Sequence, residues 1–278
     1  MNTAIDDDRP PSTLVREPNV APPARGRVLW VLFGSLLVIA GIGWGVVNVV
    51  ELLAHEERTE RFTVPAADIS RLFVDNDNGS VTIVGTDADD ITVEAEVSEG
   101  LRSTGFRHEV VDSTLELHGS CPTFGSMWCR VTYRIETPRG VDVEVSSDNG
   151  RVEISNIDGD VRINADNGSA ELADLSGAVA VDGDNGSVVG SGLSSAVADV
   201  ETDNGRIELS FSAPPDRVNA NGDNGSIEVV LPAVDIGYDV EADTPNGGET
   251  IDVLDNPDSP HAVRLQTDNG SITVLSGG

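Results

Sequence analysis

The aspartates of a recurring Asp-Asn-Gly triplet are the residues whose type and spacing best suit a chemical task. Six copies occur after residue 140, and successive copies, with one decayed copy included, stand 18 to 23 residues apart. If the copies stack in register, their carboxylates form a row with a spacing of about 5 Å. Carboxylate oxygens are ligands that Ca²⁺ prefers. The row therefore predicts a calcium site at Asp148, Asp166, Asp184, Asp203 and Asp223.

A plainer interpretation of the same aspartates stays open. Each carboxylate can cap its own turn, while salt screens the repulsion between neighbours. That repulsion is somewhat under about 1 kcal/mol per pair in water, which a solvated row tolerates. The spacing also differs from the nine-residue pattern of the calcium β-roll. Apart from Ca²⁺, we expect no cofactor.

The chain has two cysteines, Cys121 and Cys129, which flank a short loop containing Trp128. A disulfide across this loop is the plain interpretation for a domain on the oxidising side of a membrane. The alternative is a redox pair, but such pairs usually stand closer together, as Cys-x-x-Cys. A stapled loop can cap an open sheet edge or present a tip that faces a ligand.

The remaining residue types offer no catalytic arrangement. The four histidines, His55, His108, His118 and His261, are scattered and do not stand in a metal-ligand spacing. A phosphate-binding loop with its lysine is excluded because the chain has no lysine. A carbohydrate-active β-helix enzyme would need acids or arginines that break the alternation on one sheet face, and the regular outward positions show none. We expect that the protein is not an enzyme.

Apolar and polar residues alternate on both sides of each triplet, as Val143, Val145 and Ile154 do around Asp148. A period of two places one face of a strand inward and the other in solvent. Each unit therefore contains two short strands joined by an Asn-Gly turn, in which both residues tolerate positive φ. The turn asparagines are Asn78, Asn149, Asn167, Asn185, Asn204, Asn224, Asn246 and Asn269.

Two architectures fit this repeat. In an antiparallel meander, each Asn-Gly is a hairpin loop. In a parallel β-solenoid, each unit is one coil, and like turns lie over like turns, where asparagine ladders form. We favour the solenoid because consecutive hairpins have no reason to share a turn sequence. The predicted fold is all-β, a parallel β-solenoid with two short strands per coil of 18–23 residues, preceded by a single transmembrane helix.

Residues 28–50 carry no charge and are long enough to cross a bilayer as a helix. Arginines precede this segment and glutamates follow it, so the positive-inside rule places residues 1–27 in the cytoplasm. We expect a single-pass protein of the cell membrane whose C-terminal domain is extracytoplasmic. A cleaved signal peptide is the alternative, but its apolar core would be shorter.

The predicted organisation has five parts. A disordered tail (1–27) and the helix (28–50) precede a juxtamembrane linker (51–61), a β entry and capping region with the cysteine loop (62–139) and the Asn-Gly repeat solenoid (140–278). The formal charge of −31 falls on the part after residue 50, since residues 1–50 are neutral. So acidic a surface repels phosphate backbones, which excludes nucleic acid as a partner.

A membrane helix, an entry strand with Asn-Gly-Ser, a Cys-Pro…Trp-Cys loop and Thr137-Pro138-Arg139-Gly140 leading into Asn-Gly repeats occur here in that order. This arrangement resembles the bacterial putative-adhesin family of membrane-anchored β-solenoid domains of unknown function, in the versions found in high-GC Gram-positive bacteria. The resemblance covers residues 28 to 278 and implies a cell-envelope solenoid without an established enzyme activity. It supplies no functional residues.

Three functions follow as hypotheses. The leading one is a non-enzymatic envelope module with an adhesive, structural or sensory role. An alternative is an accessory of envelope-stress signalling that acts through the cytoplasmic tail, and a less favoured one is the carbohydrate-active enzyme. The last strand, residues 271–275, ends close to the C-terminus, so we expect self-association or a protein partner at that edge.

Overall fold

The computed structural model describes residues 24–53, 55–100, 102–122 and 128–277, which divide into two compact units, Met1–Val49 and Val50–Gly278. Helix α1 runs from Ala24 to Leu53, so most of it belongs to the first unit, and it extends the predicted span at both ends. Within α1, Leu29–Val47 has a mean hydropathy of 2.1 and is long and apolar enough to cross a membrane. Residues 1–23 of the predicted tail lie outside the described residues.

The second unit is a β domain. Residues 51–61, expected as a linker, contribute the end of α1 and most of the first strand instead. The described strands are β1 (Glu56–Pro65), β2 (Arg71–Asn78), β3 (Val81–Thr86), β4 (Asp90–Glu99), β5 (Gly105–Val111), β6 (Thr114–Ser120), β7 (Arg130–Pro138), β8 (Asp142–Ser155), β9 (Val161–Ala173), β10 (Val179–Asn185), β11 (Val188–Leu193), β12 (Val197–Asn204), β13 (Ile207–Phe211), β14 (Arg217–Asn224), β15 (Ile227–Pro232), β16 (Asp239–Asp243), β17 (Glu249–Asp252), β18 (Ala262–Asn269) and β19 (Ile272–Gly277).

The repeat strands pair in parallel with the strands of neighbouring coils, and this confirms the solenoid. Val143 lies beside Val161, Val161 beside Val179, and Val179 beside Ala198. The second halves of the coils stack likewise, with Ala170 beside Val188 and Val188 beside Ile207. Each coil therefore contributes to two facing walls, as the alternation predicted. In the coils of β8 and β9 one long strand continues through the turn into both walls, whereas the later coils use two separate strands.

The inward side chains form one continuous buried core along the coils. Val, Ile and Leu fill its centre. Nearer to the Asn-Gly turns the side chains in register are smaller, namely Ala165, Gly183, Thr202 and Gly222. The hydroxyl of Thr202 donates to the carbonyl of Gly186, so this buried polar group has a hydrogen-bond partner.

The N-terminal end departs from chain order. β6 and β7 stack outside β2 and β3, while β8 stacks on their other side. β5 then pairs antiparallel with β6, and β1 and β4 continue the second wall beyond β7 with antiparallel pairing. The entry region is thus part of the same solenoid, closed by antiparallel strands.

The C-terminal end also departs from chain order, and the expectation of an edge at residues 271–275 is wrong. β19 lies between β15 and β17, and β18 lies between β14 and β16. The physical reason is apolar content. β18 and β19 bury four large aliphatic residues, whereas the decayed copy places Glu249 where an apolar residue is usual, so it suits the outermost level. The edge is therefore formed by β16 and β17.

Candidate functional surfaces

The Asn-Gly turns stack into one column along the solenoid. Asn185 donates from Nδ2 to Oδ1 of Asn167 at 3.2 Å, and Asn204, Asn224 and Asn269 each repeat the bond to the previous coil at 3.0–3.1 Å. The structure brings together every predicted turn asparagine, since Asn78 lies beside Asn149, Asn149 beside Asn167, and Asn246 bridges Asn269. These bonds form the expected asparagine ladder.

The glycines of this column are required by close approach as well as by backbone conformation. Gly186 and Gly225 have φ near +150°, where side chains are strained. Gly205 has no such φ, yet a Cβ there would lie 1.7 Å from the carbonyl oxygen of Gly186 in the previous coil. The column is therefore closed to any side chain at this position.

The aspartates that precede these asparagines form the predicted row on the solvent side. Asp148, Asp166, Asp184, Asp203 and Asp223 are all exposed. Desolvation, followed by the charges of Asp77, Asp166 and Asp75, raises the pKa of Asp148. Neighbouring carboxylates therefore repel Asp148 at the N-terminal end of the row. Calcium binding along the row stays a prediction.

The cysteine loop occupies the turn position of the outermost N-terminal coil. Cys121 and Cys129 form a disulfide with a Cα–Cα distance of 5.7 Å. Cys121 donates its backbone N–H to Oδ2 of Asp77 at 2.6 Å, in the turn of the adjacent coil. A Cβ on Gly79 would meet the carbonyl of Val131 at 2.1 Å, so the strand after the loop packs directly on that turn. The described part of the loop therefore caps this end of the column; residues 123–127, its predicted tip, lie outside the described residues.

A shallow groove of about 400 Å³ crosses the outer face of the first wall where Ala180 leaves space. Arg162, Asp182, Asp199 and Glu201 stand around it. Asp199 is already held, since it accepts from Asn219 at 2.5 Å and pairs with Arg217 at 3.5 Å. The groove is thus a polar surface, lined by side chains at the regular outward positions of the strands.

The edge at the C-terminal end, formed by β16 and β17, is both acidic and apolar. β17 carries Glu249 and Asp252, and Ile251 and Leu254 expose 41 % and 59 % of their surface. A cleft of about 340 Å³ lies beside them, against Tyr238. Over the described residues, β17 has a strand partner on one side only.

One cluster escaped the sequence analysis. Glu109 on β5 faces Glu116 on β6, and His118 follows on the same face of β6. Nδ1 of His118 lies 3.2 Å from Oδ2 of Asp75, and Nε2 lies 3.4 Å from Oε2 of Glu116. The sequence signal for this cluster was the Glu-x-His alternation at Glu116 and His118. The third member, Glu109, joins them only through the register of the β5–β6 hairpin.

A search of curated proteins finds no match for this chain. Among solved structures, a "putative cell adhesion protein" from Clostridium sporogenes is 15% identical, with 80% of this chain and 100% of that chain covered and a TM-score of 0.37. A "putative adhesin" from Bacteroides fragilis is 14% identical, with 79% and 97% covered and a TM-score of 0.36. A "putative adhesin" from Parabacteroides merdae is 13% identical, with 80% and 97% covered and a TM-score of 0.32. At these TM-scores the likeness carries no functional argument.

The family assignment rests on a family model instead. The model of the Toastrack DUF4097 family matches residues 69–275, which begin just before β2 and end in β19. The match therefore covers the stacked coils, the cysteine loop and both rearranged ends apart from β1. The chain belongs to the Toastrack DUF4097 family.

Proposed function

We propose that the chain is a non-enzymatic, membrane-anchored module whose extracytoplasmic solenoid binds a partner in the cell envelope, in an adhesive role. The observation that carries the proposal is the edge formed by β16 and β17. Such an edge offers backbone donors and acceptors to an added strand. This edge replaces the one expected at residues 271–275.

The direction of the backbone groups supports strand addition. The N–H of Ile272 on β19 donates to the carbonyl of Gly248, which precedes β17. Because alternate residues of a parallel strand bond to opposite neighbours, Glu249 and Ile251 direct their N–H and C=O groups away from β19. These groups are available to a partner strand.

The charge of the edge favours a basic partner over a second copy. Asp239 and Glu241 on β16 pair with Arg264, whereas Asp243, Glu249 and Asp252 form no ion pair among the described residues. Two such edges would bring like charges together. An extended segment that alternates basic and apolar residues matches both the carboxylates and the exposed Ile251 and Leu254.

A peptide-binding measurement tests this surface. The full-length chain in detergent is titrated into a labelled peptide that alternates arginine and valine, with a glutamate–valine peptide as the control. Ile251→Pro removes one outward N–H without removing a bond to β19, and we expect it to weaken binding at least about tenfold. Ile251→Ala keeps the N–H and is the matched control, with a smaller loss.

Equal affinity of wild type and Ile251→Pro for the basic peptide would contradict the edge as the binding surface. Concentration-dependent dimers of the wild type that Ile251→Pro abolishes would identify a second copy as the occupant instead.

The anchor is supported by helix α1, whose apolar side chains at Leu36, Ile39 and Ile42 are exposed over more than half of their surface. An extracytoplasmic position is supported by the disulfide and by the arginines before the helix. Ile39→Arg places a charge at the centre of the span at a cost of about 2.5–3.5 kcal/mol. It should lower the fraction of the chain that is found in the membrane, while Ile39→Leu should not.

Two finer predictions belong to the same proposal. The first places the chain among the versions of the family found in high-GC Gram-positive bacteria, and the sequence resemblance supports it.

The second gives the cytoplasmic tail, residues 1–27, a role in envelope-stress signalling. Deletion of the tail should alter an envelope-stress response without altering peptide binding.

A further inference from the structure

We propose that Glu109, Glu116 and His118 form a binding site for a divalent transition-metal ion, with Zn²⁺ as the best fit. The site lies at the N-terminal end of the solenoid, far along the stack from the edge formed by β16 and β17. It is independent of the proposed function.

The β5–β6 hairpin creates the site. Its two turn residues, Asp112 and Ser113, have φ of 44° and 68°, which is the positive pair that a tight hairpin requires. This turn sets Val111 beside Thr114 and therefore Glu109 beside Glu116. Two carboxylates directly opposite each other destabilise an antiparallel pair. A bound cation would remove that penalty.

The distances fit a metal centre. One ligand atom from each of the three residues lies within 4.8 Å of the other two. The separation of 3.4 Å between Nε2 of His118 and Oε2 of Glu116 is long for a charge-assisted hydrogen bond. It equals the separation of about 3.4 Å expected for two ligands on one tetrahedral Zn²⁺, given metal–ligand distances of about 2.0–2.1 Å.

Asp75 orients the histidine. Its Oδ2 lies 3.2 Å from Nδ1 of His118, on the side of the ring away from Glu116. A carboxylate on one ring nitrogen holds the proton there and leaves the lone pair of Nε2 for a metal, which is the usual outer partner of a zinc-bound histidine. Asp75 belongs to β2, so two different coil levels hold the ring.

The charge around the site is unbalanced without a cation. Three carboxylates surround one imidazole, and Arg107, the register partner of His118, forms no ion pair within the described residues. The mixed nitrogen and oxygen ligands suit Zn²⁺ better than Ca²⁺, which prefers oxygen alone. The side chain of His118 keeps 23 % of its surface exposed, which leaves a path for an ion and for a water as the fourth ligand.

Co²⁺ is the probe that tests the site, because its visible absorption reports ligand type and geometry. The full-length chain in detergent, stripped of metal, is titrated with Co²⁺ and then with Zn²⁺. We expect one equivalent of Co²⁺ to give a visible band that Zn²⁺ abolishes. His118→Ala should weaken Co²⁺ binding at least about 100-fold, and Glu109→Gln and Asp75→Asn should each weaken it about 10- to 100-fold.

His108→Ala is the matched control. The ring of His108 stacks on Phe62 at 4.0 Å and does not belong to the cluster, so its loss should leave Co²⁺ affinity unchanged. Absence of the Co²⁺ band in the wild type would overturn the proposal. Equal affinity in His118→Ala, or in Glu109→Gln, would overturn it as well. If His118→Ala fails to fold, the exposed Glu109 gives the decisive variant.

Discussion

Asn204 donates from Nδ2 to Oδ1 of Asn185 at 3.1 Å, across the boundary between two coils. The Oδ1 atom of Asn204 in turn accepts from Nδ2 of Asn224 at 3.1 Å. Each amide in this part of the ladder therefore both donates and accepts along the axis of the solenoid. The turn sequence is repeated because the bond needs the same side chain at successive levels.

Replacement of Asn204 by alanine should destabilise the fold by about 0.5–1.5 kcal/mol, because a donor and an acceptor of the ladder are lost at an exposed site. Urea denaturation of the two proteins measures the difference. Asn164→Ala is the control, since Asn164 is exposed on the outer face of β9, and it should change stability by less than about 0.5 kcal/mol. Equal effects of the two substitutions would mean that the ladder contributes nothing of its own.

Gly205→Ala should cost about 1–3 kcal/mol, because its Cβ would lie 1.7 Å from the carbonyl oxygen of Gly186 and the coils would have to separate. Gly205 lacks a positive φ, so the loss isolates close approach from backbone strain. Gly140→Ala places a Cβ in open space and should be nearly neutral. A thermal melt of each variant compares them, and a neutral Gly205→Ala would show that the turns tolerate a wider spacing.

The sequence allowed prediction of the coil but not of its order at the ends. Alternation around identical turns specifies parallel stacking, and Val143 lies beside Val161 as that reasoning required. The placement of β18 and β19 inside β16 and β17 depends on which copy buries more apolar surface, a comparison between copies rather than a pattern within one. Glu249 marks the decayed copy in the sequence, but the pattern within that copy does not specify its level in the stack.

The histidine cluster could not be predicted for a different reason. Glu109 meets Glu116 only because Asp112 and Ser113 form the hairpin turn, and Asp-Ser is a weaker hairpin signal than Asn-Gly. Asp75 joins His118 from a strand 43 residues earlier, through a pairing outside chain order. The spacing of these residues along the sequence therefore does not predict either contact.

Asp148 should make the fold less stable as the pH rises. Desolvation and the charges of Asp77 and Asp166 raise its folded pKa above the ordinary 3.8, so the folded chain holds this proton more tightly than the unfolded chain. Its contribution to stability is therefore present below pH 3.8 and is lost as the pH rises through the higher folded value.

Asp148→Asn should accordingly raise the melting midpoint at pH 7, and the advantage should shrink at acid pH and in high salt. Asp258→Asn, which removes a charge from the exposed connection between β17 and β18, is the control for net charge alone. A midpoint gain for Asp148→Asn no larger than that of the control would count against local repulsion.

Calcium in the aspartate row predicts a melting midpoint that depends on the ion. Addition of Ca²⁺ should raise the midpoint of the wild type, and a chelator should return it, because an ion bound only to the folded chain stabilises it. Asp184→Asn removes a carboxylate from the centre of the row and should reduce that response. Equal midpoints with calcium and with chelator would leave the aspartates as turn caps.

Removal of the disulfide should destabilise the N-terminal end of the solenoid. Cys121 and Cys129 are eight residues apart, and the loop-closure entropy of so short a loop corresponds to about 2–3 kcal/mol. Cys121→Ser with Cys129→Ser should lower the free energy of unfolding by that amount, as urea denaturation measures it, and the wild type in reductant should match the double variant. The backbone N–H of Cys121 still reaches Oδ2 of Asp77 in the serine variant, so the level formed by β6 and β7 should stay paired with β2 and β3.

Hydrogen exchange of β7 in the double variant tells whether the disulfide or the strand pairing holds this level in place. Full loss of protection in β7 would show that the disulfide does, whereas retained protection would show that strand pairing does.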